Sequence, residues 1–153
     1  MKRFQRLLHT APLWLAAAWA MSLTVLGFFV VPMLFANLPT PAMAGGMAAK
    51  LFSTQTAISA ACALLLVAVL RSGNHAVSSA SVPAITMLCL AGALLALLVE
   101  FGVSPHIVAR NNLRLWHGVG SVMYFAQWLC ALAVFCKLAL AAVAPQADGS
   151  NQV

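Results

Sequence analysis

Five ionisable side chains form a candidate polar layer in an otherwise apolar chain: Lys50, Glu100, Arg110, Arg114 and His117. A carboxylate, an imidazole and three bases could together bind a polar solute, transfer a proton or hold a metal ion. Glu100 carries the most weight, because Asp148 near the C-terminus is the only other acid in the chain. Whether these groups meet depends on the elements that carry them.

The chain contains four long stretches with almost no charge. Hydrophobic residues make up 63% of the sequence and charged residues 7%, against about 25% charged in typical soluble domains. A helix of about 20 apolar residues crosses a bilayer, and these stretches do not alternate like barrel strands. We therefore predict an all-α, integral membrane, four-helix antiparallel bundle over residues 1–144. Its helices are expected at about residues 12–36, 47–70, 82–104 and 114–142, before a disordered polar tail at 145–153.

Basic residues beside the helix ends set the expected orientation. With a cytoplasmic N-terminus, the inner segments hold five Lys or Arg residues and the outer segments hold three, which favours both termini inside. The first apolar run exceeds the signal-peptide length of about 7–15 residues, so a retained helix is predicted. We expect a multi-pass protein of the bacterial inner membrane. The net charge of +6 is expected to face anionic lipid headgroups rather than nucleic acid.

Antiparallel helices would bring the ionisable side chains together at the outer end of the bundle. Lys50, Glu100 and His117 each lie about one turn inside the outer end of a different helix, at about 1.5 Å per residue. A charge inside a span costs about 2.5–3.5 kcal/mol on insertion scales and is usually paired or functional. We expect Glu100 to pair with Lys50 or Arg110 and to pin the helices together. The alternative is a polar vestibule for a solute, a proton or a metal.

Metal and haem chemistry are weaker interpretations of this region. A haem normally takes a second axial ligand at matching depth, and none is predicted near His117. Met33, Met43 and Met47 surround the first outer connection and thioethers suit Cu(I), but methionines more often fill apolar gaps. We predict no cofactor, no metal site and no catalytic residue. A carboxylate-pair mechanism is excluded, because Glu100 has no second acid beside it.

Proline and glycine mark the predicted connections, at about residues 37–46, 71–81 and 104–114. Pro105 directly follows a predicted helix end. Pro32 lies near the end of the first helix, where it removes a backbone donor and clashes with the preceding turn. We favour a helix terminus at Pro32 over a kink that opens space at the outer end.

Several short motifs occur in the order found in a known family. They are GFFVVPMLF at 27–35, AGGMAAKLF at 44–52, Glu100 ahead of Pro105, and LWHG at 115–118. Over residues 13–140 the chain resembles the transmembrane-protein-205-like family, small four-helix membrane proteins with a domain of unknown function. The resemblance implies seven motif residues: Pro32, Phe35, Gly45, Phe52, Glu100, Pro105 and His117. Such proteins often carry a serine two residues after the His-Gly pair, where this chain has Gly120.

The resemblance implies an integral membrane protein without an assigned reaction. The leading interpretation is therefore a structural or accessory membrane protein that is not an enzyme. Its expected partners are the lipid bilayer and either another membrane protein or a second copy of the chain. The alternative is a small transport or metal-handling module that uses the outer polar layer. A looser similarity to the copper-resistance D type of four-helix domain favours copper as the metal in that alternative.

Overall fold

The computed structural model describes residues 2–73 and 77–143, with side chains from Thr10 onward. These residues form helices joined by short turns and contain no strand. Four segments are long and apolar enough to cross a membrane: span 1 (Thr10–Asn37), span 2 (Pro41–Arg71), span 3 (Val82–Val108) and span 4 (Leu113–Val143). The predicted all-α membrane fold with four helices is confirmed. The predicted tail at 145–153 lies outside the described residues.

Two of the four spans contain a π-helical turn. Span 1 joins the α-helix Lys2–Val25, the π-turn Leu26–Val30 and the α-helix Val31–Asn37. Span 3 joins the α-helix Val82–Leu98, the π-turn Val99–Val103 and the α-helix Ser104–Val108. Spans 2 and 4 are single α-helices, Pro41–Arg71 and Leu113–Val143. In spans 1 and 3 the helical register therefore changes at a π-turn, and both π-turns lie nearer the same end of the bundle.

Each span packs on the next one in sequence, and span 4 also packs on span 1, so the four helices close into a ring. We call the half of the bundle that carries the connection at 72–81 the proximal half. The opposite half, which carries the connections at 38–40 and 109–112, is the distal half. The apolar core fills the proximal half, where the largest fully buried side chains include Trp19, Leu23, Leu66, Ile85 and Val134.

Large apolar side chains also cover the outside of the bundle. Trp14, Leu64, Met87, Phe101, Val122 and Leu140 are each at least 60% exposed. Apolar patches of this extent are rare on soluble monomers and mark contact with a membrane or a partner. Their distribution over all four spans indicates contact with the lipid bilayer.

Span 2 begins earlier than the sequence predicted. Residues 41–46 were expected in a connection, yet they form its first turns. Thr40 is the N-cap, and its side-chain oxygen accepts a hydrogen bond from the Met43 N–H at 3.3 Å. Pro41 follows at the start of the helix, where its missing N–H and fixed φ are tolerated. Gly45 and Gly46 are accommodated inside the helix, so the prediction of a loop there was wrong.

The predicted helix ends at Pro32 and before Pro105 were also wrong. Span 1 continues through Pro32 to Asn37, and span 3 continues through Pro105 to Val108. In both cases a five-residue π-turn precedes the proline, which lies in the first turn of a new α-helix. A proline is tolerated there because no helical N–H is needed. The alternative interpretation of Pro32, a distortion that accompanies open space, fits the distal half.

Candidate functional site

A chamber of about 800 Å³ lies between the distal halves of all four spans. Its walls are mainly apolar and include four phenylalanines: Phe28, Phe35, Phe52 and Phe125. At this end Val31–Asn37 packs on span 2, whereas Ser104–Val108 packs on span 4. The distal half therefore consists of two helix pairs, and the chamber occupies the space between them. Ligand sites have volumes of about 300–1,000 Å³ and a few polar groups on apolar walls.

Tyr124 and Phe52 form the floor of the chamber. Their rings meet edge to face with centroids 5.2 Å apart, a favourable geometry for aromatic pairs. The Tyr124 hydroxyl donates to the Leu23 carbonyl oxygen at 2.8 Å, just ahead of the π-turn in span 1. Gly27 lies in that turn, and a Cβ there would approach Tyr124 Cε1 to 2.6 Å. The absence of a side chain at Gly27 lets the phenol ring cross from span 4 to span 1.

Glu100 lies in the π-turn of span 3 and lines the chamber. Its Oε1 accepts a hydrogen bond from the Ser53 hydroxyl at 2.7 Å, which joins spans 2 and 3. No ion pair to Lys50 or Arg110 forms among the described residues, so the expected pairing is corrected. Ser53 lies nearly one turn deeper than Lys50 on span 2, while the long Lys50 side chain is exposed and can extend towards the headgroups.

Arg110 lines the mouth of the chamber from the connection between spans 3 and 4. The preceding helix ends in a Schellman motif, in which the Asn111 N–H donates to the His106 carbonyl at 3.0 Å. The Arg110 N–H donates to the Ile107 carbonyl at 3.1 Å. This geometry holds Arg110 at φ 56°, a left-handed conformation that usually selects glycine. Asn112, two residues further along the chain, also has a positive φ, 39°.

Some of the predicted site residues line the chamber and others do not. From the polar layer, Glu100, Arg110 and His117 line it, and from the motif residues Phe35, Gly45 and Phe52 do so. Lys50, Pro32 and Pro105 are not among its lining residues. Arg114 instead borders a shallow groove on span 4, together with Asn112 and Gly118. The polar layer therefore splits into chamber residues and surface residues.

A hydrogen-bonded network lies beneath the floor, near the middle of the bundle. The Gln127 amide on span 4 donates to the Ser59 hydroxyl on span 2 at 2.9 Å. The Gln55 amide donates to Ser59 at 3.3 Å and to Ser22 on span 1 at 3.0 Å. Gln55, Ser59 and Gln127 are all buried. Such bonds satisfy polar groups that lipid cannot solvate, so the network ties three spans together below the chamber.

The described residues contain no cluster of three or more His, Cys, Asp or Glu side chains suited to a metal ion. Met33, Met43 and Met47 are all exposed, and none of them lines the chamber. His106, on the same side of the bundle as His117, stacks on the Trp116 ring with centroids 4.0 Å apart. The geometry therefore offers little support for a copper or haem site among these side chains.

Sequence reasoning missed two features of the chamber. The first is Tyr124. It is the only tyrosine in the chain and lies in a span, which is the one sequence feature that could have marked it as a candidate site residue. The two π-turns were not predicted from the sequence either. A π-turn in a helix frequently occurs at a functional site, and here each contributes lining residues, Gly27 and Glu100.

The fold and the chamber define a class: a multi-pass membrane protein with a ligand-sized, partly open chamber lined by its four helices. The family model described as domain of unknown function DUF4149 matches residues 14–115. This match spans two thirds of the 153-residue chain, and the protein belongs to that family. The matched segment includes Glu100 and Arg110 and ends just before His117. No curated protein and no solved structure matches the chain.

Proposed function

We propose that this protein is a non-enzymatic accessory protein of the bacterial inner membrane that holds a small amphipathic molecule in its distal chamber. One observation carries the proposal: all four spans contribute to a chamber of about 800 Å³ with apolar walls and a few polar groups. A bundle with a purely structural role would be more stable if larger side chains filled this volume, since a cavity lacks packing contacts. The retained volume favours a bound molecule.

The absence of an enzymatic function belongs to the same proposal. Glu100 is the one acid within the spans, so no second carboxylate is available for acid–base catalysis by a pair. The Ser53 hydroxyl donates directly to Glu100, without a histidine between them to act as the general base of a triad. These features support binding without a covalent step.

The location and the finer family assignment are part of the proposal. The excess of basic residues on one side supports cytoplasmic termini, which would make the distal half face the periplasm. The resemblance to the transmembrane-protein-205-like family remains a prediction within the broader family. A membrane-protein partner or a second copy of the chain could receive the bound molecule, and crosslinking in the membrane tests this.

A substitution that places a large side chain in the chamber tests whether a ligand binds there. Gly45 lines the chamber and has no atom within 4 Å of a Cβ built on it. Gly118 is equally open but borders the outer groove of span 4. We expect an amphipathic molecule to co-purify with the wild type and with Gly118→Phe, and to be depleted in Gly45→Phe. Mass spectrometry of solvent extracts provides the measurement. Equal retention by both variants would contradict a ligand in the chamber.

One observation favours the alternative of a small transport module. The polar side chains of Gln55, Ser59 and Gln127 continue from the chamber floor towards the middle of the bundle. A proton-coupled module should therefore remain folded but lose proton flux when Glu100 is changed to Gln. Proteoliposomes that enclose a pH-sensitive dye measure that flux. If the wild type shows no flux above empty vesicles, the binding function is favoured.

A further inference from the structure

We propose that Arg110 is the anion-binding residue of the chamber and that the ligand is an amphiphile with an anionic headgroup. This inference rests on the proposed function and adds the chemistry of the bound molecule. The headgroup would be a phosphate or carboxylate at the mouth of the chamber. The apolar tail would lie between the phenylalanine side chains of the walls.

The first argument is the backbone of Arg110. At φ 56° a residue with a Cβ is strained, since the left-handed conformation brings the Cβ too close to the following carbonyl oxygen. The two hydrogen bonds of the Schellman motif require this conformation at position 110, and glycine would satisfy it without strain. A non-glycine residue held in such a conformation is a reason to look for function. Here the side chain lines the mouth of the chamber.

The second argument is the charge available inside the chamber. Glu100 already accepts the Ser53 hydroxyl. No hydrogen bond or ion pair to the Arg110 guanidinium forms within the described part of the chain. Arginine offers a planar fork of donors that matches phosphate and carboxylate oxygens. Glu100 keeps its negative charge but lies in the π-turn, deeper in span 3 than Arg110. The charge at the mouth itself is therefore positive, which selects an anionic headgroup there.

The third argument is the apolar volume behind that charge. The chamber walls include the side chains of Phe28, Phe35 and Phe125. A free inorganic anion would leave this volume unused, whereas an alkyl chain would fill it and gain the transfer free energy of each CH₂ group. The combination of a basic mouth and an apolar interior matches a molecule with an anionic head and a hydrocarbon tail.

The test uses the full-length protein in detergent with three probes: dodecyl phosphate, dodecanol and inorganic phosphate. The variants are Arg110→Gly, Arg110→Lys and, as the matched control, Asn112→Gly. Asn112 shares the positive φ but borders the outer groove rather than the chamber. Arg110→Gly should weaken dodecyl phosphate about tenfold or more, because a charged hydrogen bond is lost. Dodecanol binding should stay within about twofold, and Arg110→Lys should retain more affinity than Arg110→Gly.

Stability measurements separate binding from folding. Arg110→Gly relieves left-handed strain and should raise Tm by about 2–4 °C. Asn112→Gly should change Tm less, because asparagine tolerates the left-handed conformation. A variant that is more stable but binds less tightly shows that Arg110 serves the ligand. Unchanged dodecyl phosphate binding by Arg110→Gly would overturn the anion site and leave the chamber function intact. If inorganic phosphate binds as tightly as dodecyl phosphate, the amphiphile is excluded. If neither alkyl probe binds the wild type, the proposed function fails as well.

Discussion

The proximal and distal halves of the bundle use glycine in opposite ways. In the proximal half, Gly92 leaves room for the Trp19 ring, and a Cβ there would lie 2.7 Å from Trp19 Cη2. In the distal half, Gly45 and Gly46 have nothing within 4 Å of a Cβ. The first glycine makes close packing feasible, and the others leave a chamber open. The residue type alone does not distinguish these uses.

The boundary between the two halves falls at the π-turns. The segments Leu26–Val30 and Val99–Val103 share a Phe-x-Val-x-Pro pattern, from Phe28 to Pro32 in span 1 and from Phe101 to Pro105 in span 3. Each π-turn offsets the register of the helix that follows. The distal helices are therefore displaced from the faces that pack in the proximal half, which accounts for the separation into two helix pairs.

The largest effect is expected where packing is tightest. Gly92→Ala places a methyl group against Trp19, which is fully buried and cannot move aside cheaply. We expect a loss of about 1–3 kcal/mol in the free energy of unfolding, the usual range for an overpacked core. Thermal unfolding in detergent measures it, with Gly118→Ala as the control. Equal stability of the two variants would show that the proximal half is less tightly packed than described.

A smaller loss is expected at the boundary. Tyr124→Phe removes the hydroxyl that donates to the Leu23 carbonyl at 2.8 Å but keeps the aromatic contact with Phe52. Hydrogen bonds between helices in membranes contribute about 0.6–1.7 kcal/mol, and we expect a destabilisation in that range. Ser121→Ala serves as the control, because that hydroxyl lines the chamber without a hydrogen-bond partner among the described residues. If both changes are neutral, the Tyr124 hydroxyl does not hold spans 1 and 4 together.

The spans could be predicted from sequence because the length of an apolar run is a local property. The start of span 2 could also have been predicted, since Thr40 and Pro41 form an N-cap and first-turn signal. The π-turns could not be predicted. The same residues can form either α or π hydrogen bonds, and tertiary contacts such as that of Tyr124 with Gly27 decide between them. The partner of Glu100 likewise depends on how span 2 rotates, which places Ser53 rather than Lys50 against it.

Distal glycines should respond in the opposite direction to Gly92. Gly45→Ala meets no neighbouring atom and replaces the poorest helix former except proline with the best one. Helix propensity alone favours alanine by about 0.8–1.0 kcal/mol in a helix interior, so we expect unchanged or slightly increased stability. The shift in thermal unfolding between Gly45→Ala and Gly92→Ala measures the contrast between the halves. Destabilisation at Gly45 would mean that the distal chamber closes in the membrane.

The smallest effect concerns the Glu100 carboxylate itself. Glu100→Gln keeps an oxygen that can accept from Ser53 but removes the charge, and we expect a loss of about 0.5 kcal/mol, at the low end of the range for a single hydrogen bond. A double-mutant cycle decides which partner matters, since independent sites add within about 0.3–0.5 kcal/mol. Ser53→Ala should couple to Glu100→Gln, because the two side chains share a hydrogen bond. Lys50→Gln should be additive with it. Coupling to Lys50 would restore the ion pair and make the distal layer a structural clamp, whereas additivity leaves the charge of Glu100 free to act on the contents of the chamber.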